Sequence, residues 1–145
     1  MKAIFPGTFD PFTVGHDDIV RRALTFMDEI IVAVGINERK HTLSDMEDRL
    51  NAIRAVYKNE PRVSVTSYDG LTADFAREVG ADVIIRGVRN IADFEYERNM
   101  ADINRHLTDI ETMLLFSSPE LACISSSMVR ELIQLGKPVD EFLPK

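Results

Sequence analysis

The sequence predicts an α/β protein: a Rossmann-like, three-layer α/β/α architecture around a five-stranded parallel sheet, with residues 1–145 forming a single domain. Three observations predict it. Five short runs rich in β-branched and aliphatic residues recur along the chain, most of them apolar without alternation, as strands covered on both faces must be, and one, Val63-Ser64-Val65, alternating. Between them lie segments with apolar residues at helical spacing, and strand–helix alternation builds a parallel sheet through right-handed crossovers. The length of 145 residues suits one core that buries roughly two-thirds of the unfolded surface.

The elements follow in order. Lys2 to Phe5 reads as the first strand, broken at Pro6-Gly7. A loop from Gly7 to His16 leads into a helix expected to begin near Asp17, with Ile19, Val20, Ala23, Leu24 and Met27 as its apolar stripe. Ile30 to Val34 is a second buried strand, followed by the polar loop Asn37 to His41. Ser44 with Glu47 has the spacing of a capping box and opens a helix carrying Met46, Leu50 and Ile53. Val63-Ser64-Val65 is the third strand. Asp69-Gly70 then turns the chain into a helix with Leu71, Phe75, Ala76 and Val79, stopped by Gly80. Val83-Ile84-Ile85 is the fourth strand and runs straight into Arg86-Gly87-Val88-Arg89. A longer helix from about Ile91 to His106 is expected to turn Phe94, Tyr96, Met100, Ile103 and Leu107 toward the core. Thr112 to Phe116 is the fifth strand, and Ser125-Ser126-Ser127 caps a last helix that ends at Gly136.

The totals exclude several functions. A net charge of −7 argues against a general nucleic-acid binder, which needs a basic face to displace counterions. The one cysteine, Cys123, cannot form an internal disulfide and suits a reducing compartment. No Cys/His set has structural zinc spacing, no signal-peptide pattern opens the chain, and no apolar run reaches membrane-spanning length. A soluble, cytoplasmic protein that engages neither nucleic acid nor membrane is the expectation.

Ligands of open parallel sheets bind beyond the carboxyl ends of the strands. The suggestive polar groups all fall there: Thr8 to His16, then Lys40, then Arg86 and Arg89, then the serine run. A strand breaking into a glycine-containing loop and a helix start supplies N–H donors and partial positive charge for phosphate. His16, if protonated, would oppose the helix dipole, a conflict that a bound phosphate would relieve. Lys40 fits either a solvated charged loop or a phosphate contact. Arg86 and Arg89 fit either phosphate binding or ion pairs with Asp82, Asp93 or Glu95. Glu97, by pattern alone, belongs to a solvated helix face, and Cys123 to a buried apolar site. His41 and His106 have no such context.

PGTFDPFTVGH, IIRGVRNIADFEYE, NRHL, ISSSMVRE and FLP together resemble the nucleotidylyltransferase superfamily and, within it, the phosphopantetheine adenylyltransferases. The match covers essentially the whole chain. Thr13 stands where other superfamily members, including those using CTP or nicotinamide mononucleotide, usually carry histidine. The resemblance implies transfer of the adenylyl group of ATP to 4′-phosphopantetheine, giving dephospho-coenzyme A and diphosphate, with Mg2+ and a homohexameric assembly. It puts His16 on the position of the transition-state-stabilising histidine, and His16, Lys40 and Arg89 are the expected catalytic residues. It puts Thr8, Phe9, His16, Gly87, Val88, Arg89, Glu97 and Leu121, Ala122, Cys123, Ile124, Ser125, Ser126 and Ser127 on ATP, and Thr8, Lys40, Thr72 and Arg86 on the acceptor. It implies no residue as a magnesium ligand, leaving the ion to substrate phosphates and water. A nucleotide sensor that binds ATP without turnover is the alternative from a different class.

Overall fold

The computed structural model describes residues 1–36 and 42–145. Five strands, β1 (Lys2–Gly7), β2 (Glu29–Gly35), β3 (Val63–Tyr68), β4 (Val83–Val88) and β5 (Glu111–Phe116), pair in parallel in the order β3-β2-β1-β4-β5. Five helices accompany them: α1 (Val14–Ala23), α2 (Met46–Val56), α3 (Thr72–Glu78), α4 (Ile91–Thr108) and α5 (Ser126–Gln134). The chain winds outward from β1 to β3, then returns to β4 on the other side of β1. The switch point of the sheet therefore lies between β1 and β4.

Each face of the sheet has its own core. Phe5, Ile30 and Val32 pack with Ile19, Val20, Leu50 and Ile53 of α1 and α2. Ile4, Ile31 and Ile84 pack with Ala73 and Ala76 of α3 on the opposite face. Adjacent residues of one strand thus serve different cores, which is why the strand sequences show no polar alternation. The two edge strands depart from that reading. β5 has no buried residue and β3 only Val63, because each has a neighbour on one side only.

Several boundaries differ from the sequence expectation. β1 does not break at Pro6-Gly7 but continues through both, paired with Ala33 and Val34 of β2, and β3 and β4 run on to Tyr68 and Val88. α1 begins at Val14, three residues before Asp17, so that His16 lies inside its first turn. The cap of α2 is Asp45, whose carboxylate accepts the Asp48 N–H at 2.8 Å, while the Ser44 N–H goes to Asp10. α4 is closed by Asp109 in the left-handed region (φ 61°), where glycine is the usual residue.

The largest correction concerns the face of α4. Phe94, Tyr96, Ile103 and Leu107 are exposed, the last three between 50% and 61%, and Met100 is half-buried. The buried positions are polar, Glu97 and Asn104. The inward line of α4 does not meet a closed core. It borders a cavity, where polar side chains have work to do.

Candidate active site

The crevice at the switch point begins where β1 and β4 stop pairing. Their ladder spans Ala3–Val83 and Ile4–Ile84 only. Two residues on stands Pro6, which has no N–H to extend it. There the Arg86 guanidinium crosses the gap and donates through Nη1 to the Pro6 carbonyl.

The loop from Gly7 to Thr13 is held from several sides. Its first constraint is local: a Cβ on Gly7 would stand 2.7 Å from the Phe9 ring, and Phe9 has φ 52°. Phe9 is buried in the core and also borders the first cavity. Arg49 donates to the Thr8 carbonyl at 2.7 Å, Arg130 to the Asp10 carbonyl at 2.8 Å and Ser126 Oγ to the Pro11 carbonyl at 2.7 Å. The buried Asp10 carboxylate accepts the N–H groups of Leu43 and Ser44 at 2.8 and 3.2 Å. Three carbonyls of the loop are thereby held by side chains of the protein.

The T-x-G-H signature is a capping box. Thr13 is the N-cap of α1, and its Oγ1 accepts the His16 N–H at 3.3 Å. In return the Thr13 N–H donates to His16 Nδ1 at 2.9 Å, the task usually left to glutamate at this spacing. Phe12 stacks on the imidazole at 5.3 Å and Phe9 meets it edge-on at 5.0 Å. Burial in this aromatic box, then the nearby charges of Arg86 and Arg89, lower the His16 pKa from 6.5 to about 3. The ring is therefore neutral. Since Nδ1 accepts a backbone N–H, the ring hydrogen sits on Nε2, and the expected conflict with the helix dipole does not arise.

Two cavities meet at this loop. The first, about 340 Å³, is lined by His16, Arg86, Arg89, Arg130, Gly87 and the serine run. The second, about 510 Å³, runs between the sheet and α4 past Thr72, Tyr68, Met100 and Asn104. Both are bordered by Pro6, Gly7, Thr8, Arg86 and Glu97. The cations are paired, though with partners only partly expected: Arg86 with Glu97 at 2.7 Å and Arg89 with Asp93 at 2.9 Å. Glu97 is not on a solvated face; it is 6% exposed.

The serines divide their roles. Ser125 caps α5 by accepting the Met128 N–H, Ser126 holds the loop, and Ser127 accepts from Arg130 at 3.1 Å. Leu121 and Ile124 also line the first cavity, whereas Ala122 and Cys123 do not. Cys123 is exposed rather than a buried apolar residue, because it sits in the turn between a 3-10 segment (Pro119–Leu121) and α5. Val88 is buried in β4, outside the lining of either cavity. Thr72 reaches the second cavity with its hydroxyl 2.8 Å from that of Tyr68. His106 is exposed. Lys40 and His41 lie outside the described residues.

Sequence reasoning passed over Arg130, Asp10, Asn104 and Thr112. Arg130 was legible as a cation three residues past Ser127, on the face that the serine run presents. Asn104 lies seven residues past Glu97, on the same helix face. Asn104 Oδ1 and Thr112 Oγ1 are buried without a hydrogen-bond partner among the described residues. Unpaired buried acceptors are costly, and both residues border the second cavity, where a ligand would satisfy them.

The model of the cytidylyltransferase-like family matches residues 4–132. A phosphopantetheine adenylyltransferase of Bacteroides fragilis is 58% identical over 144 residues, covering 99% of this chain and 96% of the relative. One from Porphyromonas gingivalis is 51% identical over 143 residues, covering 99% and 94%. One from Symbiobacterium thermophilum is 49% identical over 145 residues, covering 99% and 90%. Among solved structures, a candidate nicotinate-nucleotide adenylyltransferase of Vibrio parahaemolyticus superposes with a TM-score of 0.69 at 18% identity, covering 99% and 86% of the two chains. That last likeness speaks for the fold alone.

Proposed function

The chain belongs to the cytidylyltransferase-like family and, within it, to the phosphopantetheine adenylyltransferases, and on that premise we propose that it transfers the adenylyl group of ATP to 4′-phosphopantetheine. The observation that carries this reading is the pair of cavities meeting at Thr8 and Arg86. The first, ringed by Arg89, Arg130 and the start of α5, suits a nucleoside triphosphate. The second, mixed in polarity with acceptors at Asn104 and Thr112 that lack a partner among the described residues, suits a phosphate carrying an amide-rich arm.

The acceptor phosphate has a second pKa near ~6 and is largely dianionic at neutral pH, so it attacks without a general base. The protein's task is to hold two anions in line and to stabilise charge on the α-phosphate and departing diphosphate. His16 donates from Nε2–H to the α-phosphate beside the loop N–H groups. Arg86 orients the acceptor phosphate, with Lys40 joining it on the strength of the family resemblance. Arg89, Arg130 and the α5 N-terminus take the β- and γ-phosphates. The carboxylates bordering the first cavity are engaged: Asp10 by two backbone N–H groups, Asp93 by Arg89 and Glu97 by Arg86. That arrangement fits Mg2+ entering on the triphosphate, held by phosphate oxygens and water. The ion supplies charge neutralisation there.

The reading includes self-association into a homohexamer in the cytoplasm. The exposed stripe Tyr96, Ile103 and Leu107 on α4 supports the association. Leu107→Asp is expected to shift the particle toward the 16.4 kDa protomer in light scattering, and an unchanged mass would count against this face. No helix among the described residues is long and apolar enough to cross a membrane. The deciding assay offers ATP or CTP with a panel of phosphate acceptors. Diphosphate release with ATP only when phosphopantetheine is present is the expected result. Release with nicotinamide mononucleotide, or ATP binding without turnover, would overturn the reading.

A further inference from the structure

Resting on the reading that the second cavity takes the acceptor, we propose that Glu97 is a positioning residue for Arg86, acting on phosphopantetheine through that guanidinium rather than on ATP. The family resemblance places Glu97 on the nucleotide. The geometry points elsewhere. Both carboxylate oxygens face Arg86, with Nε 2.9 Å from Oε2 and Nη2 2.7 Å from Oε1. The Glu97 side chain is 8% exposed and the Arg86 side chain 31%, so the arginine is the open member of the pair.

A guanidinium has five N–H groups. Two go to Glu97 and one, on Nη1, to the Pro6 carbonyl; among the described residues the other two, one on each Nη, have no partner. Pro6 lies in the sheet and Glu97 on α4, so the plane of the guanidinium is fixed by two rigid elements. What remains is a preset fork at the border of both cavities, suited to a phosphate.

Charge alone gives Glu97 no purpose here. A carboxylate at the meeting point of two anionic substrates opposes both of them, and pairing it with Arg86 cancels part of the attraction that Arg86 offers. Its benefit is orientation: the arginine loses no side-chain freedom when the acceptor arrives. The energetic signature is then specific. Loss of the clamp weakens acceptor binding and in-line placement, and leaves the nucleotide end, built from α5 and Arg130, as it was.

The test is steady-state kinetics with both substrates varied for wild type, Glu97→Gln, Arg86→Ala and the double variant. Glu97→Gln keeps the shape but offers one acceptor oxygen where the arginine needs two. The expected result is a KM for phosphopantetheine raised about tenfold or more, and a KM for ATP within about twofold. In the Arg86→Ala background, Glu97→Gln is expected to change the acceptor KM no further, since it acts through that arginine. A rise in the ATP KM with the acceptor KM unchanged makes Glu97 a nucleotide contact and overturns the proposal. So does a lowered melting temperature with neither KM moved, or an acceptor effect that persists without Arg86. Glu97→Asp, which keeps the charge one methylene short, repeats the measurement should the glutamine variant fold poorly. A wild-type protein inert toward phosphopantetheine defeats the functional reading instead, so the two failures are distinct.

Discussion

Replacing His16 with alanine is expected to lower kcat by roughly 10²–10³-fold while leaving the fold intact, at some cost in melting temperature from the lost cap, and the KM for ATP close to wild type. The imidazole is held by a backbone N–H on Nδ1 and by aromatic rings on its faces, so its Nε2–H is a fixed donor rather than a mobile charge. A donor set before the reaction acts on charge that appears only as the α-phosphate becomes five-coordinate. Its loss therefore falls on kcat rather than on binding. Turnover within a few-fold of wild type would remove His16 from the mechanism.

The same ring makes a pH prediction. With a folded-state pKa of about 3, His16 is neutral throughout pH 5–9, so kcat/KM should show no His16 ionisation near 6.5. It should rise with the acceptor's second ionisation near ~6 and then stay level. An alkaline limb near neutrality that disappears in His16→Ala would show that a protonated ring does the work. Stability moves in the opposite sense from an ordinary paired histidine. The folded pKa lies below the unfolded 6.5, so the unfolded chain binds the extra proton, and stability present above 6.5 is lost as pH falls toward 3. Between pH 7 and pH 5 this group should cost wild type about 2 kcal/mol more than His16→Ala, measured by denaturant unfolding.

The sequence showed the sheet and the rim where its strands end, because buried parallel strands leave apolar runs that give way to glycine and charged residues at their carboxyl ends. It did not show what each polar group does, because those roles depend on partners far along the chain. Glu97 looks like one charge among several on a helix; only the approach of β4 to α4 reveals that it is buried and clamps the more open Arg86. Asp10 is one residue of a loop in the sequence, and the N–H groups its carboxylate accepts among the described residues are 33 and 34 residues away. The α4 stripe was misread for a related reason. Apolar periodicity tells that a face will be covered, but not whether by the same chain, and here the sheet receives the polar line beside it. The charge state of His16 is not legible in the sequence, since an aromatic box made of Phe5, Phe9 and Phe12 is a feature of the folded loop.

That box supplies the second large effect. Gly7→Ala would put a Cβ 2.7 Å from Phe9 Cζ and 2.8 Å from Cε1, closer than packed atoms approach. The ring has little freedom to yield, because Phe5 lies 5.3 Å away on one side, Phe12 5.1 Å on another, and His16 5.0 Å beyond. Overpacking of this kind costs about 1–3 kcal/mol, visible as a lowered melting temperature. The larger consequence is catalytic, since any movement of Phe9 is passed to the imidazole it touches, and a displacement of ~1 Å costs on the order of 10² in kcat. Gly80→Ala provides the comparison. Gly80 has φ 72° with nothing within 4 Å of its added Cβ, so alanine there is strained without touching the site. It should cost about 1–2 kcal/mol of stability and leave kcat unchanged. If Gly7→Ala lost stability to the same degree and kept full kcat, Phe9 would have another place to go. The aromatic box would then pack the loop without setting the position of His16.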